Sequence, residues 1–418
     1  MKIWPIALVT GLVVGWAAAT DIQFTPGERA TWEQLMRRVA YTTPTHRLGL
    51  RDGREFAGWP LSVTTNVVRW AAPLGVDGRL MAEFECAQVD RIAVLLPPPS
   101  VNYCDVSFQL EFPDLRLIRR PPYSLLTDEP ATCAARYLDA LEKLHATFRA
   151  RFGGLTEGLG LPDHVQVLIF SEEAAFHAHQ RCRMGRAPVK DGFYTPAPLR
   201  LTLFDQRHAS GLQEALKYLA FGSEKRQVRA ASDVEANAIR LHDLAQACEF
   251  LREAERANQR ILRHEGAHQL FHASGILIEG VTSGWLAEGL ALWCESREFG
   301  AVEPVYAGRI KTALEQQCLI PLTELVGHRD QGGQGFFAGD RRVDLAYAES
   351  WSLVRLLMCP ADQPGFFNYL RHLRSLDAIT DIQRTPPLEL LCRFLQLTPA
   401  ELDARWSASL KRLPFDAD

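Results

Sequence analysis

The sequence predicts an α+β fold, in which a small β-rich unit precedes a mixed α/β segment and a mainly helical segment. Apolar and polar residues alternate with a period of two between about 45 and 118, most clearly at 80–86 and 104–112, which is typical of strands with one wet face. From residue 130 the apolar spacing changes to that of helices. We therefore expect a small β-barrel or sandwich domain over 21–120 and a second domain over 121–418.

The second predicted domain has three parts, namely an α/β part over 121–205, a possible polar insertion over 206–232 and a helical part over 233–418. In the α/β part, an apolar run predicts a buried strand at 165–170, and alternating apolar and polar residues predict another strand at 199–204. Apolar residues at helical spacing predict helices in the last part at 235–273, 284–297, 306–317, 344–358, 364–374, 387–395 and 399–412.

The first twenty residues have the layout of a secretory signal peptide. Lys2 gives a positive start, an apolar run extends from Ile3 to Trp16, and small residues at 17–20 suit a signal peptidase. The alternative is an uncleaved segment that anchors the chain in a membrane. We expect an exported protein, periplasmic or extracellular, with no stable membrane span once residues 1–20 are removed.

Charge and cysteine spacing exclude two classes of function. The formal net charge is −4 at pH 7, and no basic tract indicates a nucleic-acid-binding face. None of the nine cysteines is spaced as CxxC, so neither a thiolate zinc knuckle nor a thioredoxin-like motif is indicated.

The chemistry is concentrated in the sequence HEGAH at 264–268, near the end of the longest helical pattern. His264 and His268 are four residues apart, so on a helix they share one face and can bind the same zinc ion. Glu265 points away from the two histidines but remains close enough to reach a metal-bound water. The alternative is a pair of histidines on a helix surface with no metal.

A single acid, Glu288, stands in the next apolar helical stretch, GWLAEGLA. A catalytic zinc requires a third protein ligand and an open position, and two histidines with one glutamate form a known set. A lone carboxylate among apolar residues is costly to bury unless it binds a metal or pairs. Glycines between His268 and Glu288 allow the chain to turn back. The alternative is a salt-bridging glutamate on a half-exposed helix.

HEGAH followed by WLAEGLA resembles the gluzincins, the thermolysin-like (peptidase MA-like) branch of the zinc peptidases. More narrowly, the chain is similar to a family of exported bacterial proteins of unknown function with an HExxH helix, a WLxEGxA helix and a later Tyr-x-x-Ser-Trp segment. The resemblance covers roughly 122–412. It implies a zincin-like catalytic domain with one zinc ion on His264, His268 and Glu288, and Glu265 as the base that activates the zinc-bound water.

The resemblance also implies a donor for the oxyanion and an edge strand for the substrate. Tyr347, in the Tyr-x-x-Ser-Trp segment, is the candidate donor. The alternative is a tyrosine that packs in the core, and the other candidates for the donor are His328, Arg341 and Arg342. The strand at 199–204 is the expected edge on which an extended substrate adds.

Two positions distinguish this chain from related zinc peptidases. Metzincins have a glycine and a third histidine where Phe271 and Ser274 stand here. The thermolysin group has an acid where Leu292 stands, and Glu295 is the nearest acid to that position. We interpret His272 as a residue that packs in the core or supports a ligand, since it lies too far along the helix from His264 to share an ion.

These observations favour a zinc metallopeptidase, most simply an endopeptidase, that acts on a protein or peptide outside the cytoplasm. The alternative is a catalytically weak or inactive peptidase-like protein that binds protein or cell-wall peptide. A different zinc hydrolase on the same scaffold is the third hypothesis.

Overall fold

The fold is mixed α/β, with two separate sheets and a helical C-terminal region. The computed structural model describes residues 2–3, 46–63, 67–74, 78–94, 105, 108–155, 165–184, 191–195, 199–278, 282–328, 336–337, 340–374, 378, 381–382 and 384–414. The predicted signal peptide, 1–20, lies outside the described residues except for Lys2–Ile3. No described helix is both long and apolar enough to span a membrane.

The first sheet is antiparallel and has six strands, in the order β1-β5-β4-β3-β2-β6. The strands are β1 (Lys2–Ile3), β2 (His46–Leu50), β3 (Glu55–Val63), β4 (Val67–Leu74), β5 (Gly78–Glu85) and β6 (Val89–Val94). Leu48, Val68, Trp70 and Phe84 are buried in its core. The prediction of a barrel is wrong, because within the described residues β1 and β6 end the sheet without pairing with each other.

The second sheet has five strands, in the order β10-β11-β9-β8-β7. The strands are β7 (Arg116–Arg120), β8 (Tyr123–Thr127), β9 (Val165–Phe170), β10 (Gly192–Thr195) and β11 (Arg200–Phe204). The central strands β8, β9 and β11 are parallel and buried throughout, as expected for strands covered on both faces. The edge strands β7 and β10 are antiparallel to their neighbours.

Helices make up the remainder. They are α1 (Ala131–Phe152), α2 (Glu173–Met184), α3 (Ser210–Val228), α4 (Asp233–Ala273), α5 (Gly284–Glu295), α6 (Pro304–Gln316), α7 (Leu322–Gly327), α8 (Val343–Leu357), α9 (Gln363–His372), α10 (Pro387–Leu395) and α11 (Pro399–Leu410). The helices predicted after residue 233 are confirmed within a few residues at their ends. Helix α1 connects the parallel strands β8 and β9, and the C-terminal half of α4 packs against α1, β10 and β11.

Three local predictions differ from the structure. The segment 108–111 is helical and not a strand. Phe108 and Phe112 contact each other with ring centroids at 6.1 Å. Two apolar residues four positions apart lie on one face of a helix as well as on one face of a strand, so the sequence pattern fits both. The polar segment 206–232 contains helix α3. Strand β11, predicted as an edge, is interior, because the short strand β10 adds outside it.

Helix α8 carries a fully buried acid, Glu349. One carboxylate oxygen accepts a hydrogen bond from the Ile320 N–H at 3.0 Å, whereas the other has no hydrogen-bond partner among the described residues. Burial raises the pKa of Glu349 to about 8. The carboxyl group therefore keeps its proton at neutral pH in the folded protein and releases it in the unfolded chain, where a glutamate pKa is about 4.3.

Glu349→Gln is expected to remove this source of pH dependence. Because the folded pKa is raised, the stabilisation is complete below pH about 4.3 and is lost as pH rises through 8. The free energy of unfolding of the wild type should therefore fall, relative to the variant, by up to roughly 1 kcal/mol per pH unit between pH 5 and 8. Urea unfolding at several pH values measures the free energy of unfolding of both proteins. If this free energy depended on pH in the same way in the variant and the wild type, Glu349 would not be a buried neutral acid.

Candidate metal centre

One glutamine fixes the rotation of the C-terminal part of α4, which carries His264 and His268, against the second sheet. The Gln269 side-chain amide donates hydrogen bonds to the carbonyl oxygens of Gln166 and Leu199, both at 2.7 Å, and the residue is fully buried. A buried amide with two fixed acceptors holds one orientation of the helix. His268, the preceding residue, and His264, one turn earlier, are thereby directed to the same side of α4.

Helix α5 packs directly on the backbone of α8, and this close contact sets its position relative to α4. A Cβ atom at Gly289 would lie 2.7 Å from the Ser350 carbonyl oxygen and 2.8 Å from Val354 Cγ2. Only glycine allows this close approach of the two helices. The neighbouring residue, Glu288, then extends its carboxylate toward the two histidines of α4.

Three side chains meet at this point. The Nε2 atoms of His264 and His268 are 3.2 Å apart, and Glu288 Oε2 lies 3.3 Å from the first and 3.5 Å from the second. Their side chains are 12%, 11% and 16% exposed, respectively. The two nitrogens and one oxygen thus form a nearly equilateral triangle at a nearly buried site that solvent still reaches.

The triangle has the dimensions of a zinc site. Tetrahedral zinc with bonds of about 2.0–2.1 Å separates neighbouring ligand atoms by about 3.3–3.4 Å. The observed separations of 3.2, 3.3 and 3.5 Å match that edge length. Two imidazoles and one carboxylate also form a donor set typical of catalytic zinc. The residues present therefore fit one zinc ion, with one coordination position left for a small ligand.

Behind the triangle, a hydrogen-bonded chain orients His264. Its Nδ1 lies 2.7 Å from Glu295 Oε1, and the Tyr306 hydroxyl donates to Glu295 Oε2 at 2.6 Å. Burial lowers the pKa of His264, but hydrogen bonds to Glu288 and Glu295 outweigh burial and raise the pKa to about 10. The acid that the sequence lacks at Leu292 is thus supplied one turn later, at the last residue of α5.

The structure also brings Glu265 and Tyr347 to the metal centre. Glu265 is buried. Burial is the largest cause that raises the pKa of the Tyr347 hydroxyl, and the negative charges of Glu288 and Glu265 raise it further. The charges of Glu265 and Glu288 thus both act on the Tyr347 hydroxyl, although the three residues come from α4, α5 and α8.

Edge strand β10 passes alongside these groups, which the sequence did not reveal. A Cβ atom at Gly192 would lie 3.5 Å from Glu265 Cγ and only 2.5 Å from Ile261 Cγ2, so the strand can approach α4 only with glycine here. The Tyr194 ring stacks on His272 at 5.2 Å and on His268 at 6.4 Å between centroids. The His272 ring thus packs against the Tyr194 ring.

The other candidate donors are less well placed. The Arg342 guanidinium hydrogen-bonds Asp340 at 2.8 Å and Glu324 at 2.7 Å, and Arg341 is exposed. The His328 ring stacks on Phe337 at 4.1 Å.

A second group of possible ligands, Glu129, Asp205 and His208, occurs away from the triangle. Arg207 already fills it. Its side chain donates to both oxygens of Asp205 and lies 3.8 Å from Glu129. A cation would have to displace the guanidinium, so we assign no metal to this group.

Comparison of the chain with protein-family models, curated proteins and solved structures finds no match. The geometry of the metal centre therefore carries the functional argument.

Glu295→Gln is expected to weaken zinc binding by roughly 10- to 100-fold, because the hydrogen bond that orients His264 is weakened while all three ligands remain. Competition with a chromophoric chelator measures the affinity. The matched control is Glu298→Gln, an exposed acid just beyond the end of α5, which should bind zinc as the wild type does. Equal losses in both variants would show that the hydrogen bond to His264 is not the cause.

Proposed function

We propose that the chain is a zinc-dependent peptidase of the gluzincin type, with one zinc ion held by His264, His268 and Glu288. The observation that carries this proposal is the triangle of three donor atoms, with separations of 3.2–3.5 Å, beside the buried carboxylate of Glu265. A structural zinc site is normally closed by four protein ligands and has no use for such a base.

The chemistry divides between the metal and the chain. Zinc, when bound, supplies a Lewis acid that polarises a carbonyl group and lowers the pKa of water. The Glu265 carboxylate accepts the proton of the attacking water and delivers it to the leaving nitrogen of the peptide. The backbone turn between His264 and His268 fixes the carboxylate relative to both ligands, so no rearrangement is required before the proton moves.

Tyr347 is suited to stabilise the negative charge that develops on the carbonyl oxygen. Burial and the carboxylates of Glu288 and Glu265 raise its pKa, so the hydroxyl keeps its proton at neutral pH. A protonated hydroxyl in a largely buried site donates a strong hydrogen bond to an oxyanion.

The edge of the second sheet supports a peptide as the substrate. Strand β10 passes Glu265 at Gly192 and His268 at Tyr194, and among the described residues its outer edge pairs with no other strand. An extended peptide can add to such an edge by backbone hydrogen bonds. The chain has no exopeptidase motif of the GxMEN kind, which favours an endopeptidase. The signal-peptide pattern of residues 1–20 favours action outside the cytoplasm.

Defined variants should distinguish the residues that bind the metal from the residue that acts only in cleavage. The wild type is expected to bind about one zinc ion per chain and to cleave a generic protein substrate. Glu288→Ala should lose both. Glu265→Gln should keep the metal and lose roughly 100- to 10,000-fold in kcat, because only the proton transfer is removed. Elemental analysis and a fluorescent casein assay on the same samples measure both properties.

Each other outcome has a definite meaning for the proposal. A wild type that binds zinc without cleaving would favour a peptidase-like protein that binds protein or cell-wall peptide. A wild type without zinc would overturn the metal centre itself. Equal activity in Glu265→Gln and the wild type would overturn the assignment of the base.

Tyr347→Phe is expected to lower kcat by roughly 10- to 1,000-fold with little change in KM, because the hydroxyl acts only as charge develops on the oxyanion. Tyr369→Phe is the matched control, since that buried tyrosine lies in the core on α9. Steady-state kinetics measure both variants. A rise in KM without a change in kcat would instead assign Tyr347 to substrate binding.

A further inference from the structure

Helices α3 and α4 form a hairpin, and their contact faces are clearly defined. The Arg226 guanidinium donates to Asp243 Oδ1 at 2.5 Å, and Arg240 donates to Gln227 Oε1 at 3.3 Å. Asp243 is buried by this contact. Residue 226 thus contacts residue 243, and residue 227 contacts residue 240. Residue numbers rise along α3 as they fall along α4, so the two helices are antiparallel. One side of α4 is therefore covered by α3.

A different side of α4 carries an exposed apolar stripe. Val234, Leu241, Leu244 and Leu251 are 80%, 67%, 58% and 40% exposed, far more than a soluble protein usually leaves on neighbouring large side chains. Two more exposed residues complete the series at alternating spacings of three and four. We call the six residues the α4 stripe, and they are Val234, Asn237, Leu241, Leu244, Cys248 and Leu251.

The spacing of the α4 stripe identifies the kind of partner that it fits. Residues that alternate by three and four have a mean period of 3.5, which is that of a coiled-coil seam. Such a seam receives the side chains of a second helix. Within the described part of the chain, α3 contacts the Asp243 side of α4 and not the stripe.

We propose that the α4 stripe is the interface between two copies of this chain, with the two α4 helices antiparallel about a two-fold axis between residues 242 and 243. In that register Val234 faces Leu251, Asn237 faces Cys248, and Leu241 faces Leu244 of the partner. The two-fold axis repeats each of these three contacts with the roles of the two chains exchanged, as a symmetric dimer requires. All six residues of the stripe are paired, and none faces a charge.

The residues that flank the stripe fit the same register. In an antiparallel pair of helices, flanking positions face their equivalents on the partner. Asp233 then faces Ala254, and Arg240 faces Ala247. Ala238 faces Ala245 across the interface. No like charges oppose each other, and the small alanines allow the helices to approach closely, so this surface is compatible with itself.

The base and the tip of the hairpin give an independent indication. An open cavity of about 600 Å³ lies at the base, lined by Cys248 and Leu251 of the stripe and by polar and charged side chains, namely Arg136, Arg207, His208, Gln213, Arg252 and Glu255. At the tip, Val228 is 82% exposed next to the turn that leads to Val234. The antiparallel register sets the tip of each hairpin against the base of the other, so an exposed apolar tip meets an open cavity.

Sedimentation equilibrium of the full chain without residues 1–20 tests the proposal. The wild type is expected to have the mass of a dimer, and the double variant Leu241→Asp, Leu244→Asp that of a monomer at concentrations up to about 100 µM. Val305→Asp is the matched control, because Val305 is 51% exposed on α6, outside the stripe. Circular dichroism and zinc content verify that each variant is folded.

Cross-linking tests the register. The Val234→Cys variant is mixed with the Leu251→Cys variant and treated with a short thiol cross-linker. We expect a link between the two introduced thiols. The Val234→Cys variant alone should not form a link between two copies of residue 234. Mass spectrometry of the linked peptides separates these products from links to native cysteines. A monomeric wild type, a dimeric double variant or self-linking of Val234→Cys would each overturn the proposal, and the first would assign the stripe to a different partner.

Discussion

The structure depends on bringing the side chains of His264, His268 and Glu288 within 3.5 Å of one another at the surface of an apolar core. Hydrogen bonds to Glu288 and Glu295 outweigh burial and raise the pKa of His264. Burying such groups is costly unless a cation or hydrogen bonds compensate. The hydrogen bonds that Glu295 accepts from His264 and Tyr306 compensate part of this cost, and the dimensions of the triangle fit a cation that would compensate the rest.

Close helix packing makes this arrangement possible. The glycine of WLAEGLA allows α5 to lie on the backbone of α8, which sets the distance between Glu288 and the histidines. Gln269 sets the rotation of α4 on the sheet by two hydrogen bonds to strand ends. A side chain larger than hydrogen at Gly289, or the loss of the amide at Gln269, would shift one ligand helix against the other and distort the triangle.

The sequence predicted those features that depend on neighbours along the chain. Helical spacing identified α4 and α5, and the HExxH spacing predicted two histidines on one helix face. Features that depend on distant residues were not predictable in this way. The order of β10 and β11 in the sheet, the open edge of the first sheet and the contact between Glu295 and His264 all arise from tertiary packing. Phe108 and Phe112 were misassigned because a five-residue window fits both periods.

Helix α4 has 41 residues and is therefore about 60 Å long, but only its C-terminal part lies in the core. The buried residues after Leu262 include Glu265 and His268, whereas most of the N-terminal half is covered on one side by α3 alone. Two helices by themselves form little hydrophobic core, and stable bundles usually contain three or four. A second hairpin on the α4 stripe would complete a four-helix arrangement and would hold α4 at both ends. The helix that carries the metal ligands would then be fixed by the sheet at one end and by the partner chain at the other.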